Sequence, residues 1–150
     1  MNVRTWSLYK RGGLSVAAGA LALVGVVATG GTAHAATSWS ATGTQADVVG
    51  AYAYGTIENN SLGQTVVRVT IRDSVSDGAS GRVYFRWRFA DGSKSGAYGP
   101  ITASGYMAEK QATYTETRSG LDSWDPFEVK ECKVDNGQEV DCGWWDTPFQ

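Results

Sequence analysis

Residues Pro126 to Trp145 read P-F-E-V-K-E-C-K-V-D-N-G-Q-E-V-D-C-G-W-W and contain both cysteines of the chain. Asn136 and Gly137 favour a chain reversal because both residue types tolerate a positive φ angle. Apolar residues alternate with polar ones on either side of this dipeptide, as they do in half-buried strands. The stretch therefore predicts a β-hairpin at the C-terminal end of the chain.

The two cysteines and the Asn-Gly turn compete for the register of this hairpin. A two-residue turn sets Cys132 opposite Asp141, whereas a disulfide between Cys132 and Cys142 needs a loop of three or more residues centred on Gly137. We favour the disulfide and the longer loop. The register that follows pairs Lys133 with Asp141 and Val134 with Val140, so cysteines and valines share one face and a favourable charge pair lies on the other.

The first 35 residues have the three parts of an export signal. Basic residues precede an apolar stretch from Leu14 to Val27, and Ala33-His34-Ala35 follows as a cleavage motif. The apolar stretch is short of the roughly 20 residues that a membrane-spanning helix needs, and no later segment reaches that length. The sequence predicts a signal peptide over residues 1–35, a secreted, extracellular protein, and no membrane segment after cleavage. A disulfide fits that location.

Removal of the leader leaves an acidic chain, with 10 Lys and Arg against 15 Asp and Glu. This balance argues against nucleic-acid binding through overall charge. Residues 36–150 are enough for a single domain with a hydrophobic core. We expect one domain over this range, in a monomeric protein.

Short segments rich in strand-forming residues are separated by clusters of Gly, Ser, Asn and Asp, and apolar residues do not recur at helical spacing. Besides the two hairpin strands, the predicted strands are Val48–Ile57, Thr65–Arg72, Arg82–Phe89, Tyr98–Met107 and Gln111–Arg118. The sequence therefore predicts an all-β fold, an antiparallel β-sandwich or small barrel of about seven strands with one hairpin disulfide. The Ser-, Thr- and Gly-rich segment Ala36–Asp47 is expected to be a loose arm that Trp39 anchors.

The only histidine, His34, lies in the predicted leader. The mature chain therefore lacks a Ser-His-Asp triad, a Cys-His pair and any histidine-ligated metal. If both cysteines are oxidised, no thiolate remains either. We expect no catalytic residue, no metal and no cofactor. The eight acids between Asp122 and Asp146 are interpreted as solvent-facing hairpin positions, so a carboxylate-dependent glycoside hydrolase is the least favoured function.

Five arginines occupy the predicted outward faces of two strands that we expect to be adjacent: Arg68, Arg72, Arg82, Arg86 and Arg88. Such a basic panel suits an anionic ligand. Alternatively, the panel pairs with the acidic C-terminal hairpin of the same domain. We favour the second interpretation because the opposite charges of the two segments suit it.

The candidate binding residues are Trp144, Trp145, Trp124, Arg86 and Arg88. Trp144 and Trp145 are adjacent, so in a regular strand their side chains point to opposite faces, and an exposed indole can stack on a sugar ring or anchor a protein partner. The sequence predicts a non-catalytic binding protein for a carbohydrate or cell-envelope ligand. The alternative is an inhibitor of an extracellular hydrolase that presents a rigid loop, and its partner would then be an extracellular protein.

Overall fold

A computed structural model describes residues 35–149. The predicted signal peptide, apart from Ala35, lies outside this range. Eight strands and no helix are present in the described part of the chain. The strands are β1 (Thr37–Ser40), β2 (Ala51–Asn59), β3 (Thr65–Asp73), β4 (Ser80–Trp87), β5 (Tyr98–Ser104), β6 (Glu109–Glu116), β7 (Phe127–Asp135) and β8 (Gln138–Cys142).

The strands form two four-stranded antiparallel sheets that pack face to face as a β-sandwich. Sheet A has the order β1-β2-β3-β6, and sheet B has the order β5-β4-β7-β8. The predicted all-β sandwich is confirmed, with one strand more than expected. Residues 35–149 include no helix that is both long and apolar enough to cross a membrane.

Strict alternation along β3 and β4 builds the core. Val67, Val69 and Ile71 point inward from sheet A, and every second residue of β4 faces them from sheet B. Phe85 of β4 stacks on Tyr114 of β6 with ring centroids 4.7 Å apart, so aromatic contact joins the two sheets directly. Because apolar and polar residues alternate along both segments in the sequence, the period-two pattern predicts these inward faces, and the structure confirms them.

Strand β1 corrects the prediction of a loose N-terminal arm. It pairs with β2 as an edge strand of sheet A, and Trp39, only 5 % exposed, lies opposite Gly55. The indole meets the ring of Phe127 edge-on at 5.2 Å between centroids. Because a Cβ at Gly55 would lie 1.8 Å from the carbonyl oxygen of Arg68, only glycine fits beneath this indole. The anchoring role expected for Trp39 is therefore confirmed.

The C-terminal hairpin contains both the disulfide and the two-residue turn. Asn136 (φ 47°) and Gly137 (φ 81°) form the turn, and the Cys132–Cys142 disulfide is present. A β-bulge reconciles them, because Val134 pairs with Glu139 and leaves Val140 as an extra residue of β8. The predicted disulfide and the Lys133–Asp141 pair are confirmed, whereas the longer loop and the Val134–Val140 pair are wrong.

Candidate functional site

The arginines do not form one panel. Strands β3 and β4 belong to different sheets, so Arg68 and Arg72 lie on the opposite side of the sandwich from Arg82 and Arg86. The prediction of adjacent strands is wrong because the segment between them carries the chain from sheet A to sheet B. A turn-rich segment in the sequence does not distinguish a hairpin from such a crossing.

The arginines of sheet B pair with acidic residues of the C-terminal third of the chain. Arg82 Nη1 lies 3.0 Å from Glu139 Oε1, and Arg86 Nε donates to Glu128 Oε2 at 2.6 Å. Arg88 lies 3.6 Å from a carboxylate oxygen of Asp122 and of Asp125. The predicted pairing with the C-terminal hairpin is correct for Arg82 and Arg86, whereas the partners of Arg88 lie in the loop before that hairpin.

Trp145 is a half-buried indole held by a cationic side chain. The guanidinium carbon of Arg86 lies 4.2 Å from the ring centroid of Trp145, and the ring of Tyr84 approaches edge-on at 6.5 Å. Glu128 fixes Arg86 from the other side and also pairs with Lys94 Nζ at 2.8 Å. Burial alone would raise the pKa of Glu128, but hydrogen bonds from Lys94 and Arg86 outweigh it and lower that pKa.

Trp144 is 76 % exposed and borders a hollow of about 320 Å³. The hollow is also lined by Trp145, Lys130, Cys142 and Gly143. The ammonium of Lys130 lies 5.1 Å from the ring centroid of Tyr84 and makes no ion pair with any other residue in the range 35–149. We call this group of Lys130, Trp144 and Trp145 the indole hollow.

The backbone beside Trp144 is fixed by the loop that precedes β2. The N–H of Trp144 donates to the carbonyl of Gln45 at 2.8 Å, and the N–H of Gly143 donates to the carbonyl of Glu131 at 3.0 Å. A Cβ at Gly143 would lie 2.3 Å from the carbonyl oxygen of Ala46. The exposed indole therefore projects from a backbone that has little freedom to move.

Glu131 is fully buried between the sheets, opposite Val83 of β4. Its carboxyl accepts hydrogen bonds from the N–H groups of Val48, at 2.9 Å, and Ala53, at 2.5 Å. Desolvation raises the pKa of Glu131 to about 8, and the charge of Asp47 adds to this rise. The interpretation of the acidic residues as solvent-facing is therefore wrong for Glu131 and for Glu128, which is 4 % exposed.

Trp124 and Arg88 form a separate group. Trp124 is 85 % exposed, on a turn where Asp122 Oδ1 accepts the N–H groups of Trp124 at 2.9 Å and of Asp125 at 3.1 Å. These backbone hydrogen bonds lower the pKa of Asp122. Thr147 Oγ1 donates to Asp125 Oδ1 at 2.8 Å and braces the turn further. The five predicted binding residues therefore form two groups. Trp144, Trp145 and Arg86 lie at the indole hollow, and Trp124 and Arg88 lie at this braced turn.

Sequence reasoning missed one surface, the outward face of sheet A. Tyr52 and Tyr54 stack there with ring centroids 4.9 Å apart, beside an open groove of about 740 Å³. The available signal was the spacing of two tyrosines on the outward face of β2, with small residues on its neighbours. Tyr52 and Tyr54 lie on one face of the predicted strand Val48–Ile57, but the strand order that makes them part of a groove is not visible in the sequence.

Comparison with protein families, with curated proteins and with solved structures finds no match to this chain.

Proposed function

We propose that this protein binds a carbohydrate of the cell envelope and does not catalyse a reaction on it. The observation that supports this function is the exposed indole of Trp144, which projects from a fixed backbone beside Trp145 and Lys130. The apolar face of a sugar ring stacks on such an indole. Because the site is already ordered, binding costs little conformational entropy.

Lys130 narrows the class of carbohydrate. Its ammonium makes no ion pair among residues 35–149 and acts on Glu139 only through its charge, whereas Arg86 and Arg82 are paired directly with Glu128 and Glu139. An unpaired cation at the rim of an aromatic hollow favours a ligand that offers a carboxylate or a phosphate. The proposed ligand is therefore an acidic glycan, and a secreted protein would meet it outside the cell. The disulfide is compatible with that location.

The first prediction compares two exposed tryptophans, Trp144 and Trp124. Trp144→Ala should weaken binding to an acidic polysaccharide such as polygalacturonate by about 1 to 4 kcal/mol, the range for aromatic residues at interfaces. Trp124→Ala, which removes an indole that is 85 % exposed elsewhere, should leave the affinity unchanged. Isothermal titration calorimetry measures both, and urea unfolding should show little change for either variant. Equal affinity of the Trp144 variant and the wild type would refute the proposed site.

The braced turn supports a second candidate function, inhibition of an extracellular hydrolase. Trp124 protrudes from a turn that Asp122, Asp125 and Arg88 hold, and a rigid convex residue suits insertion into a partner's cleft. An assay against a panel of secreted hydrolases tests this function. Inhibition should be lost in Trp124→Ala and kept in Trp144→Ala, the reverse of the result expected for glycan binding.

A further inference from the structure

The groove on the outward face of sheet A lies on the side of the sandwich opposite the indole hollow. Residues from all four strands line it, from Ser38 on β1 to Gln111 on β6. Because neighbouring strands lie about 4.8 Å apart, the groove extends about 14 Å across the sheet. Its volume of about 740 Å³ falls within the usual range for ligand sites. A groove of this length exceeds one sugar ring and suits a chain.

Several polar groups of this groove are unused by the protein. The hydroxyls of Ser38, Thr56 and Thr70 and the side-chain amide of Gln111 line the groove and make no hydrogen bond to any residue within 35–149. Thr70 is only 8 % exposed, so its hydroxyl belongs to the floor of the groove. A ligand rich in hydroxyl groups offers these side chains both donors and acceptors.

The charges of the groove are balanced. Arg68 Nη2 lies 3.4 Å from Glu58 Oε1, and Arg72 Nε donates to Glu109 Oε1 at 2.6 Å. Each arginine on this face therefore has a carboxylate partner, unlike Lys130 on the other side of the sandwich. Because no unpaired charge faces an arriving ligand at these positions, the groove complements an uncharged chain.

The aromatic wall of the groove is rigid. The rings of Tyr52 and Tyr54 stack with an interplanar angle of 23°, and the guanidinium carbon of Arg72 lies 5.6 and 5.4 Å from their centroids. The hydroxyl of Tyr54 donates to Glu109 Oε1 at 2.7 Å. That hydrogen bond, with burial and the charge of Glu109, raises the pKa of Tyr54, so the phenol keeps its proton at neutral pH. The wall is thus an ordered, uncharged surface beside the hydroxyl-lined floor.

We propose that this groove is a second binding site, for an uncharged polysaccharide chain, and that the protein joins a neutral and an acidic glycan through opposite faces of the sandwich. The proposal of a neutral-chain site is argued from the residues of the groove alone and does not depend on the function proposed for Trp144. Only the joining of two glycans depends on both sites.

Pull-down on cellulose, xylan, mannan and amylose tests the groove. At least one of these uncharged polymers should retain the wild-type protein, and Thr56→Trp, which fills the groove, should weaken that retention at least tenfold. Thr115→Trp adds the same bulk on the outward face of β6 outside the groove lining, so it should bind as the wild type does. Gln111→Ala should weaken retention about three- to tenfold, because it removes one hydrogen bond to the ligand. Since Gln111 is exposed, this variant should fold, and it tests the groove even if Thr56→Trp does not fold.

The same assay with Trp144→Ala distinguishes binding at the groove from binding at the indole hollow. This variant should keep its affinity for the neutral polymer and lose its affinity for polygalacturonate. The wild type should carry soluble polygalacturonate onto the insoluble neutral polymer, and neither Thr56→Trp nor Trp144→Ala should do so. The groove proposal is overturned if none of the four polymers binds, if Thr56→Trp and Thr115→Trp behave alike, or if Trp144→Ala abolishes neutral binding. If the wild type binds a neutral polymer and does not bind polygalacturonate, only the function proposed for Trp144 is refuted.

Discussion

Glu128 and Glu131 lie three residues apart on β7, and their pKa values shift in opposite directions. Glu128 points outward and meets the cations of Arg86 and Lys94, which lower its pKa. Glu131 points inward, meets only backbone N–H groups, and its pKa rises to about 8. Both carboxyls are buried. Burial without a cation raises the pKa of Glu131 despite its two backbone hydrogen bonds, whereas the cations beside Glu128 outweigh the effect of its burial.

The two glutamates also support different indoles of the candidate site. Glu128 positions Arg86, which lies over the ring of Trp145. Glu131 holds the loop before β2 through the N–H of Val48, and its own carbonyl accepts the N–H of Gly143 next to Trp144. Trp145 therefore depends on a largely buried ion pair on the outward face of sheet B, and Trp144 depends on the packing between the sheets.

The largest effect should be the pH dependence that Glu131 causes. Its pKa in the folded state, about 8, exceeds its ordinary value of 4.5, so the folded chain keeps a proton that the unfolded chain has released. Stability therefore falls as the pH rises from about 4.5 to about 8, by about 1.4 kcal/mol per unit and about 4 to 5 kcal/mol in total. Urea unfolding at several pH values measures this slope.

Glu131→Gln provides the control, since the amide has no proton to release in this range. Its unfolding free energy should not fall with pH between 4.5 and 8. Glu128 acts in the other direction: its lowered pKa adds stability above its ordinary value of 4.5 that is lost as the pH falls through the lowered value. A wild-type stability that is flat across pH 4.5 to 8 would contradict the account of Glu131.

A smaller effect on stability is expected from Gly143→Ala, which disturbs the packing of the backbone next to Trp144 against the loop before β2. The new Cβ would lie 2.3 Å from the carbonyl oxygen of Ala46, so the loop before β2 must shift, at a cost of about 2 kcal/mol. Gly96→Ala is the matched control because a Cβ added there would have no other atom within 4 Å and the φ of Gly96 is not positive. Thermal unfolding should separate the two variants. Equal melting temperatures would show that the loop yields freely.

The smallest effect on stability is expected from Glu128→Gln, which weakens the ion pair that holds Arg86 over the ring of Trp145. Arg86 and Lys94 keep 20 % and 40 % of their side-chain surface exposed, so water can solvate them, and the loss should be about 1 kcal/mol. Acrylamide quenching of tryptophan fluorescence should increase as Trp145 loosens. Glu58→Gln breaks the exposed pair with Arg68 and should change neither stability nor quenching. Unchanged quenching in Glu128→Gln would mean that Arg86 stays in place without its partner.

The inward faces of the strands were predictable because a buried face leaves a period-two pattern in the sequence. Val67, Val69 and Ile71 on β3, and Phe85 and Trp87 on β4, are buried as that pattern predicts. Glu131 could not be predicted in this way. It occupies an inward position of β7, and its hydrogen-bond partners Val48 and Ala53 lie about 80 residues earlier in the chain.

The candidate site was predictable only in part. Two adjacent tryptophans indicate that one of them lies on an outward face, and Trp144 is exposed while Trp145 is half-buried. The groove beside Tyr54 depends instead on which strands are neighbours, since Ser38, Thr56 and Thr70 meet there only through the order of sheet A. Strand order is set by long-range pairing, which a local pattern does not reveal.

The extra residue Val140 also bears on self-association. Strand β8 is a free edge of sheet B, and an unpaired edge is a template on which the strand of another molecule can add. The bulge at Val140 interrupts the regular spacing of hydrogen-bonding groups along this edge and increases its twist. Deleting Val140 would remove the bulge and give a straighter edge with an even ladder, while Cys132 would still face Cys142 across the two-residue turn. The irregularity that lets the turn and the disulfide coexist thus also protects the sheet from growing into a neighbouring copy.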